Sequence, residues 1–287
     1  MTALDAFTEL VRTPAPRFPL LECAAELPLY SDRRCDPRRV VATVRGWGAQ
    51  LRARVAADVS APNRLRLLNH YFFDELGFHP NTGNYYSPDN SYLHRVVERR
   101  TGIPISLALL YIEIGRAIGL KLSGIGFPGH FLVKAQCGEG LLLIDVFARG
   151  VSLSAADLRH RLDQVLRGTK APLEAYLRVA SEREILARML HNLKAIHADG
   201  EQWQALLEVQ NRLVALLPDS AEERRDRGLV YAQLECPRAA ANDLAAYLTM
   251  EPGASDREDI RERLAQLRRA AWVCAASASR CWSTMVW

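Results

Sequence analysis

Three side chains in the middle of the chain have the types that acyl-transfer chemistry requires. Ser106, His130 and Asp145 supply a nucleophile, a base that could take its proton, and a carboxylate that could orient the base. Such a site works only when the three groups lie within hydrogen-bond reach of one another. The sequence therefore predicts a catalytic triad, provided that the fold brings these side chains together.

The helix predicted around Ser106 determines where its hydroxyl would lie. Pro104 suits the first turn of a helix, where its missing N–H does no harm, and residues 105–119 are apolar almost all round. Such a helix is predicted to be buried. Ser106 would then lie among unpaired backbone N–H groups, at the positive end of the helix dipole, where an oxyanion could be stabilised.

His130 and Asp145 fall in two strand-like stretches that flank the short turn 137–140. This pattern predicts an antiparallel hairpin. With a four-residue loop, Gln136 pairs with Leu141, and Asp145 lies diagonally from His130 on the same face of the hairpin. A loop shorter by one residue would place the two side chains on opposite faces.

The hydroxyl at position 106 makes a weak nucleophile for a site of this design. A cysteine beside an imidazole at a helix N-terminus can have its pKa lowered from about 8.5 into the physiological range. The same dipole cannot ionise a serine, so His130 would have to remove the proton of Ser106 during the attack. The sequence leaves two outcomes open: a working serine site, or a catalytic scaffold that is retained for binding.

Each of the three residues also has a structural explanation. Ser106 could cap its helix through the hydroxyl, and His130 could be a hydrogen-bonded core histidine. Asp145 is the most informative, because an unpaired carboxylate is costly to bury. Its partner would be His130 or one of the arginines nearby in the sequence, such as Arg99, Arg100 or Arg149.

Composition indicates a soluble globular protein. The 287 residues are 49% hydrophobic and 24% charged, with a formal net charge of +4. Because acidic and basic residues are interleaved, we expect no nucleic-acid partner. The six cysteines form neither a CxxC pair nor a zinc spacing, which is typical of a protein of a reducing compartment such as the cytoplasm. We expect no metal ion and no other cofactor. With no signal peptide and no apolar run of about 18 residues, no membrane attachment is expected.

The second half of the chain is predicted to be entirely helical and to contain a repeat. Pro218 and Pro252 are 34 residues apart, which is the period of a tetratricopeptide repeat. The preceding repeat, 187–218, is degenerate, with Lys194 where a small residue is expected, and 257–269 would form a capping helix. Counting back from Pro252 gives the small and aromatic residues that allow close packing of two helices: Gly228, Tyr231, Ala240 and Leu244.

Several short motifs together resemble the bacterial SirB-type family, whose members join an N-terminal transglutaminase-like domain to C-terminal tetratricopeptide repeats. The match runs from about residue 35 to 270 and rests on Asn90–Ser91, GIPISL (102–107), PGHF (128–131), IDVF (144–147), RRDRGLVYAQL (224–234) and DLAAYL (243–248). The resemblance implies a cysteine-protease-like core with the nucleophile helix packed on an antiparallel sheet. It also implies that Ser106, His130 and Asp145 occupy the positions of a Cys–His–Asp triad, with the departure at the nucleophile.

The predicted organisation is an α+β transglutaminase-like domain with N-terminal helices (1–172), closed by a linker at TKAP. An all-α tetratricopeptide-type region (173–270) and an apolar tail (271–287) follow. Three functions are consistent with it. The first is a non-catalytic or residually active domain that binds a peptide or protein partner and could be regulatory. The second is an acyl hydrolase or amidase that uses the triad, and the third is an adaptor that acts through the repeats. The oligomeric state is not predicted.

Overall fold

The computed structural model describes residues 2–32, 34–138, 140–166 and 171–283. Its contacts divide the chain into two units, Met1–Asn192 and Leu193–Trp287. Helices and strands are mixed in the first unit, and the described part of the second contains helices and connecting turns. The predicted α+β class with an all-α region behind it is therefore confirmed.

Helices form the N-terminal part of the first unit. A proline and an N-cap start the third of them: Pro37 occupies the first turn, and the carboxylate of Asp36 accepts hydrogen bonds from the N–H groups of Arg38 (3.0 Å) and Arg39 (3.3 Å). The elements are α1 (Ala3–Val11), α2 (Leu20–Glu26), a 3-10 turn (Leu27–Tyr30), α3 (Pro37–Arg54), α4 (Ala61–Asn69) and a π-helical turn (His70–Glu75).

A short parallel strand pair precedes the central helix. The strand β1 (His79–Pro80) pairs with β2 (Thr101–Gly102), and α5 (Leu93–Arg99) lies between them in sequence, after a 3-10 turn at Pro88–Asn90. The helix α5 ends at Arg99, and its C-cap residue Arg100 has a left-handed φ of 58°. The physical reason is the strand pair: the N–H of His79 donates to the carbonyl of Arg100 (2.9 Å), so the chain is already extended at β2.

The central helix α6 (Pro104–Ala117) packs against a four-stranded antiparallel sheet. The strands are β3 (Leu122–Ile125), β4 (Leu132–Cys137), β5 (Gly140–Asp145) and β6 (Val151–Ser152), in that spatial order. Nearly every residue of α6 is buried, as its composition predicts. Helix and sheet approach so closely at Gly115 that a Cβ there would collide with the side chain of Leu122 and lie 2.8 Å from Leu68 Cδ2.

The hairpin of β4 and β5 has the predicted register, since Gln136 pairs with Leu141. Its turn is tighter than expected, because Cys137 still pairs with Gly140. Strand alternation then places Asp145 on the same face as Leu143. That face packs against α7 (Ala155–Val165) in a cluster that contains Ile125, Phe127, Leu132, Leu158, Leu162 and Leu173.

The first unit extends beyond the boundary expected after residue 172. A 3-10 turn (Leu173–Tyr176) contributes Leu173 to the cluster under the sheet, and the N–H of Ala180 donates to the carbonyl of Gly124 (2.9 Å). The segment 173–180 is thus held by the sheet, and the contacts divide the chain between Asn192 and Leu193. Two residues of the predicted linker, 169 and 170, lie outside the described residues.

Paired helices form the second unit. The helix α8 (Glu182–Asp199) begins in the first unit and ends in the second; α9 (Trp203–Leu216), α10 (Ala221–Gln233), α11 (Pro237–Met250) and α12 (Arg257–Ser283) follow. At the predicted close contact of α10 and α11, a Cβ at Gly228 would lie 2.9 Å from Leu244 Cδ2. The long side chain of Lys194 is accommodated by ion pairs with Glu223 (2.8 Å) and Asp226 (2.6 Å).

The C-terminal helix is longer than the predicted capping helix. The backbone of α12 continues to Ser283 and so includes much of the predicted tail; residues 284–287 lie outside the described part. Among the described residues, no helix combines the length and the apolar composition needed to cross a bilayer.

The contact of α6 with the sheet predicts opposite effects for two glycines within helices of the first unit. Gly115→Ala should lower the free energy of unfolding by about 1–3 kcal/mol, because the new methyl group overpacks the helix–sheet contact. Gly46→Ala in α3 meets no atom within 4 Å and should raise it by about 0.5–1 kcal/mol through helix propensity. Urea unfolding followed by circular dichroism measures both. Equal effects of the two substitutions would contradict this packing.

Candidate functional site

A histidine and a buried aspartate form the centre of the site. Asp145, the last residue of β5, is 1% exposed, and its Oδ1 lies 2.9 Å from Nε2 of His130. His130 precedes β4 in a turn in which Gly129 takes a φ of 66° and the N–H of His130 donates to the carbonyl of Phe127 (3.0 Å). The structure thus brings together two of the three predicted residues.

The other contacts of Asp145 complete its hydrogen bonding. Its Oδ2 accepts from Nη1 of Arg161 on α7 (2.7 Å), and its Oδ1 also accepts from the N–H of Ala148 (3.1 Å). Burial alone would raise the pKa of Asp145, but hydrogen bonds and charges from His130 and Arg161 outweigh it and lower the pKa. Asp145 is therefore ionised at neutral pH.

The ionised carboxylate fixes the role of each ring nitrogen of His130. A carboxylate can only accept, so Nε2 must carry a proton, and in the neutral ring Nδ1 holds the lone pair. Among the described residues, no hydrogen bond engages Nδ1 of His130. The ring is 17% exposed. A histidine held in this way can accept a proton or a hydrogen bond at Nδ1.

Ser106 occupies a different environment. The residue is 0% exposed; its Oγ donates to the carbonyl of Asn90 (2.7 Å), and the N–H of Ile103 donates to it (3.1 Å). The carbonyl of Ile103 also lies 3.1 Å from the hydroxyl. Ser106 therefore caps the first turn of α6 and bonds it to the 3-10 turn at Pro88–Asn90. This is the capping role that the sequence left open for Ser106.

Two aromatic rings connect the surroundings of Ser106 with those of His130. The side chain of Asn90, whose backbone carbonyl accepts from Ser106, donates to the carbonyl of Tyr85 (3.0 Å). The ring of Tyr85 lies 6.2 Å from that of Phe147, which lies 6.0 Å from that of His130. No hydrogen bond joins Ser106 to His130 in the described part of the chain, and the catalytic roles of the three residues stay predictions.

Two arginines at the site were not predicted from the sequence. Arg161 replaces the expected partners Arg99, Arg100 and Arg149; it follows Leu158 by three residues, at the edge of the apolar stripe of α7. Arg188 of α8 donates through Nη2 to the carbonyls of Phe127 (3.0 Å) and His130 (2.7 Å) and so holds the turn from the other side. The available sequence signal is weak: each is a charged residue beside the apolar stripe of its helix.

Among the described residues, no group of three or more His, Cys, Asp or Glu side chains is placed to hold a metal ion.

Comparisons with known proteins agree with this architecture. The model of the transglutaminase-like superfamily matches residues 38–191, and that of a tetratricopeptide repeat matches 193–265. A UPF0162 protein of Xylella fastidiosa is 39% identical over 228 residues, which is 78% of this chain and 81% of that protein. The UPF0162 protein PA3419 of Pseudomonas aeruginosa is 35% identical over 246 residues, covering 85% and 87%. Human F-box only protein 21 is 32% identical over 169 residues, covering 55% of this chain but 26% of that protein. These matches confirm the predicted pair of domains.

The buried carboxylate predicts a pH-dependent loss of stability on Asp145→Asn. Because the pKa of Asp145 lies below its ordinary value of 3.8, its stabilising effect is complete above that value and is lost as the pH falls through the lowered pKa. At pH 7 the substitution should reduce the free energy of unfolding by about 2–4 kcal/mol, since it leaves His130 and Arg161 without their acceptor. The difference from the unmodified protein should narrow below about pH 4.

Urea unfolding at pH 7 and below about pH 4 measures this difference in the free energy of unfolding, with Asp58→Asn as the control. Asp58 is exposed and takes part in none of the hydrogen bonds of the site, so its change should stay within about 0.5 kcal/mol. A difference for Asp145→Asn that is small, or that is the same at both pH values, would contradict the role of the ionised carboxylate.

Proposed function

The chain belongs to the transglutaminase-like superfamily, and we propose that it is a protein-binding protein whose transglutaminase-like domain does not use Ser106 for acyl transfer. In this proposal the surface beside His130 and Asp145 holds a segment of the partner. The tetratricopeptide repeats that follow the domain in the sequence provide a second surface, since such arrays present extended faces for binding.

The state of the Ser106 hydroxyl is the observation that carries the proposal. A nucleophile needs a base within hydrogen-bond reach and access to the substrate. The hydroxyl of Ser106 is buried, donates to the carbonyl of Asn90, and accepts from the N–H of Ile103. Turning it toward a substrate would leave both backbone groups unpaired, at about 1–3 kcal/mol each. These contacts support a structural role for Ser106.

The surface next to the histidine supports binding. We call it the aromatic ledge and define it as Tyr85, Tyr86, Phe147 and His130. The rings of Tyr85 and Tyr86 are 5.3 Å apart, and contacts continue through Phe147 to His130. Tyr86 is 78% exposed, which is unusual for a large aromatic side chain. Aromatic residues of this kind often provide much of the binding energy of an interface, because they cover a large area with few rotatable bonds.

The cysteines support a location in the cytoplasm. All four whose state the structure describes, Cys23, Cys35, Cys137 and Cys236, are free thiols. Burial raises the pKa of Cys23 to about 12 and that of Cys35 to about 11, so these two thiols stay protonated and unreactive at neutral pH.

A serine acyl hydrolase is the second candidate function. The observation that favours it is the pair of His130 and Asp145, which is oriented as a general base with Nδ1 open. The hydrolase function requires the hydroxyl of Ser106 to break its hydrogen bond with the carbonyl of Asn90 and reach His130.

Labelling with a fluorophosphonate probe separates the two candidates. For the full chain we expect no covalent adduct on Ser106, because its hydroxyl is buried and bonded to backbone groups. Mass spectrometry of the digested protein measures the adduct, and a known serine hydrolase serves as the positive control. An adduct on Ser106 that disappears in His130→Ala would establish the hydrolase in place of the binding protein.

The aromatic ledge predicts where partner segments bind. Peptides selected from a randomised phage library against the immobilised full chain should lose about tenfold or more in affinity when Tyr86 or Phe147 is changed to Ser. The control Leu67→Ser removes another exposed apolar side chain and should leave affinity unchanged. Fluorescence anisotropy of the labelled peptides measures these affinities. Selected peptides that bind all ledge variants equally well would exclude the ledge and favour the adaptor function of the repeats.

A further inference from the structure

A cavity of about 250 Å³ lies on the same turn as His130. Its wall includes Gly126 and Phe131 from the two ends of that turn, and Arg178 and Arg188 from the chain that leads into and along α8. All of these residues belong to the first unit. Two positively charged guanidinium groups therefore lie at one small cavity.

The two arginines differ in their partners. Arg178 forms two hydrogen bonds with the carboxylate of Glu184, of 2.6 and 3.1 Å, and is thereby compensated. Arg188 uses Nη2 to donate to the carbonyls of Phe127 and His130. Among the described residues, no carboxylate forms an ion pair with Arg188. Burial lowers the pKa of Arg188, yet a guanidinium stays charged in a protein. The cavity therefore carries one uncompensated positive charge.

The free part of this guanidinium is accessible from the cavity. Nη1 of Arg188 makes no hydrogen bond within the described residues, and it is not fully buried. It lies beside Gly126: a Cβ on this residue would be 3.2 Å from Nη1. A glycine at position 126 thus leaves open the approach to two N–H donors.

We propose that this cavity binds the carboxylate of an acidic side chain carried by a partner protein, with Arg188 as its counter-ion. The proposal rests on the protein-binding function proposed above and specifies the chemistry of the partner. Since Nη2 is already engaged, Arg188 offers the N–H groups of Nη1, which can donate a charge-assisted hydrogen bond to a carboxylate oxygen.

The position of the cavity favours a protein segment as the source of the carboxylate. Gly126 and Phe131, at the two ends of the turn that presents His130, line the cavity. Tyr85 of the aromatic ledge is near enough to Arg188 to offset part of the effect of burial on the pKa of Arg188. A segment that covers the ledge with apolar side chains can therefore place an acidic side chain in the cavity.

Binding of a synthetic acidic peptide to the full chain tests the proposal. The probe is a fluorescein-labelled, end-blocked peptide of alternating Glu and Ala, and its counterpart has Gln in place of Glu. Anisotropy should show the Glu peptide binding about tenfold or more tightly than the Gln peptide, because a charge-assisted hydrogen bond is worth at least that much. In Arg188→Gln this preference should disappear.

Two further variants separate binding from folding. Gly126→Leu fills the approach to Nη1 without removing either carbonyl to which Arg188 donates, and it should also abolish the preference for Glu. Arg159→Gln removes an exposed positive charge from α7 and should change the affinity less than about twofold. Melting temperatures identify any variant that fails to fold, in which case the remaining cavity variant decides.

The outcomes distinguish this proposal from the proposed function. Equal binding of the Glu and Gln peptides, or a preference that survives in both cavity variants, would overturn the carboxylate site. If the phage-selected peptides still depend on Tyr86 in that case, the protein-binding function stands without it. Free glutarate that binds as tightly as the Glu peptide would show that the cavity takes a small dicarboxylate, and the assignment to a protein segment would then be wrong.

Discussion

The buried carboxylate of Asp145 is the constraint on which the arrangement of the site depends. An ion in the protein interior is tolerated only when its acceptor positions are filled. Here they are filled from three parts of the chain: His130 before β4, Arg161 on α7, and the N–H of Ala148 beyond β5. The charge therefore holds the sheet, the helix under it and the histidine turn together. It also requires the proton of the His130 ring to be on Nε2.

A similar requirement explains the position of Ser106. Every helix begins with backbone N–H groups that have no partner in the helix, and a buried helix has no water there to satisfy them. Pro104 removes one donor, and the hydroxyl of Ser106 accepts from another, that of Ile103. The hydroxyl also donates to Asn90, so its hydrogen-bonding capacity is used by the fold. The residue type that could act as a nucleophile is also the type that best closes this helix.

The sequence predicts contacts between residues that are close along the chain, such as those within a hairpin. It does not predict contacts that depend on how separate elements pack. The length of the turn after Gln136 determines the hairpin register, and with strand alternation it brings His130 and Asp145 to the same face. Arg161 and Arg188 could not be assigned in this way, because which carboxylate or carbonyl a helical arginine reaches depends on how its helix packs. The hydroxyl of Ser106 was compatible with two environments, and only the position of Asn90 distinguishes them.

Arg161 and Arg188 together determine the electrostatic character of the surface around His130. Arg161 is compensated by Asp145, whereas Arg188 is held by carbonyl dipoles and keeps its full charge. In a partly buried environment such a charge is weakly screened, so it favours anionic and disfavours cationic groups on a partner. The imidazole of His130, whose Nε2 is bonded to Asp145, presents Nδ1 to a partner. Under the proposed function, a partner that uses both groups presents an acidic side chain to Arg188 and a hydrogen-bond donor to His130, which restricts the segments that can bind beyond what the aromatic rings alone would select.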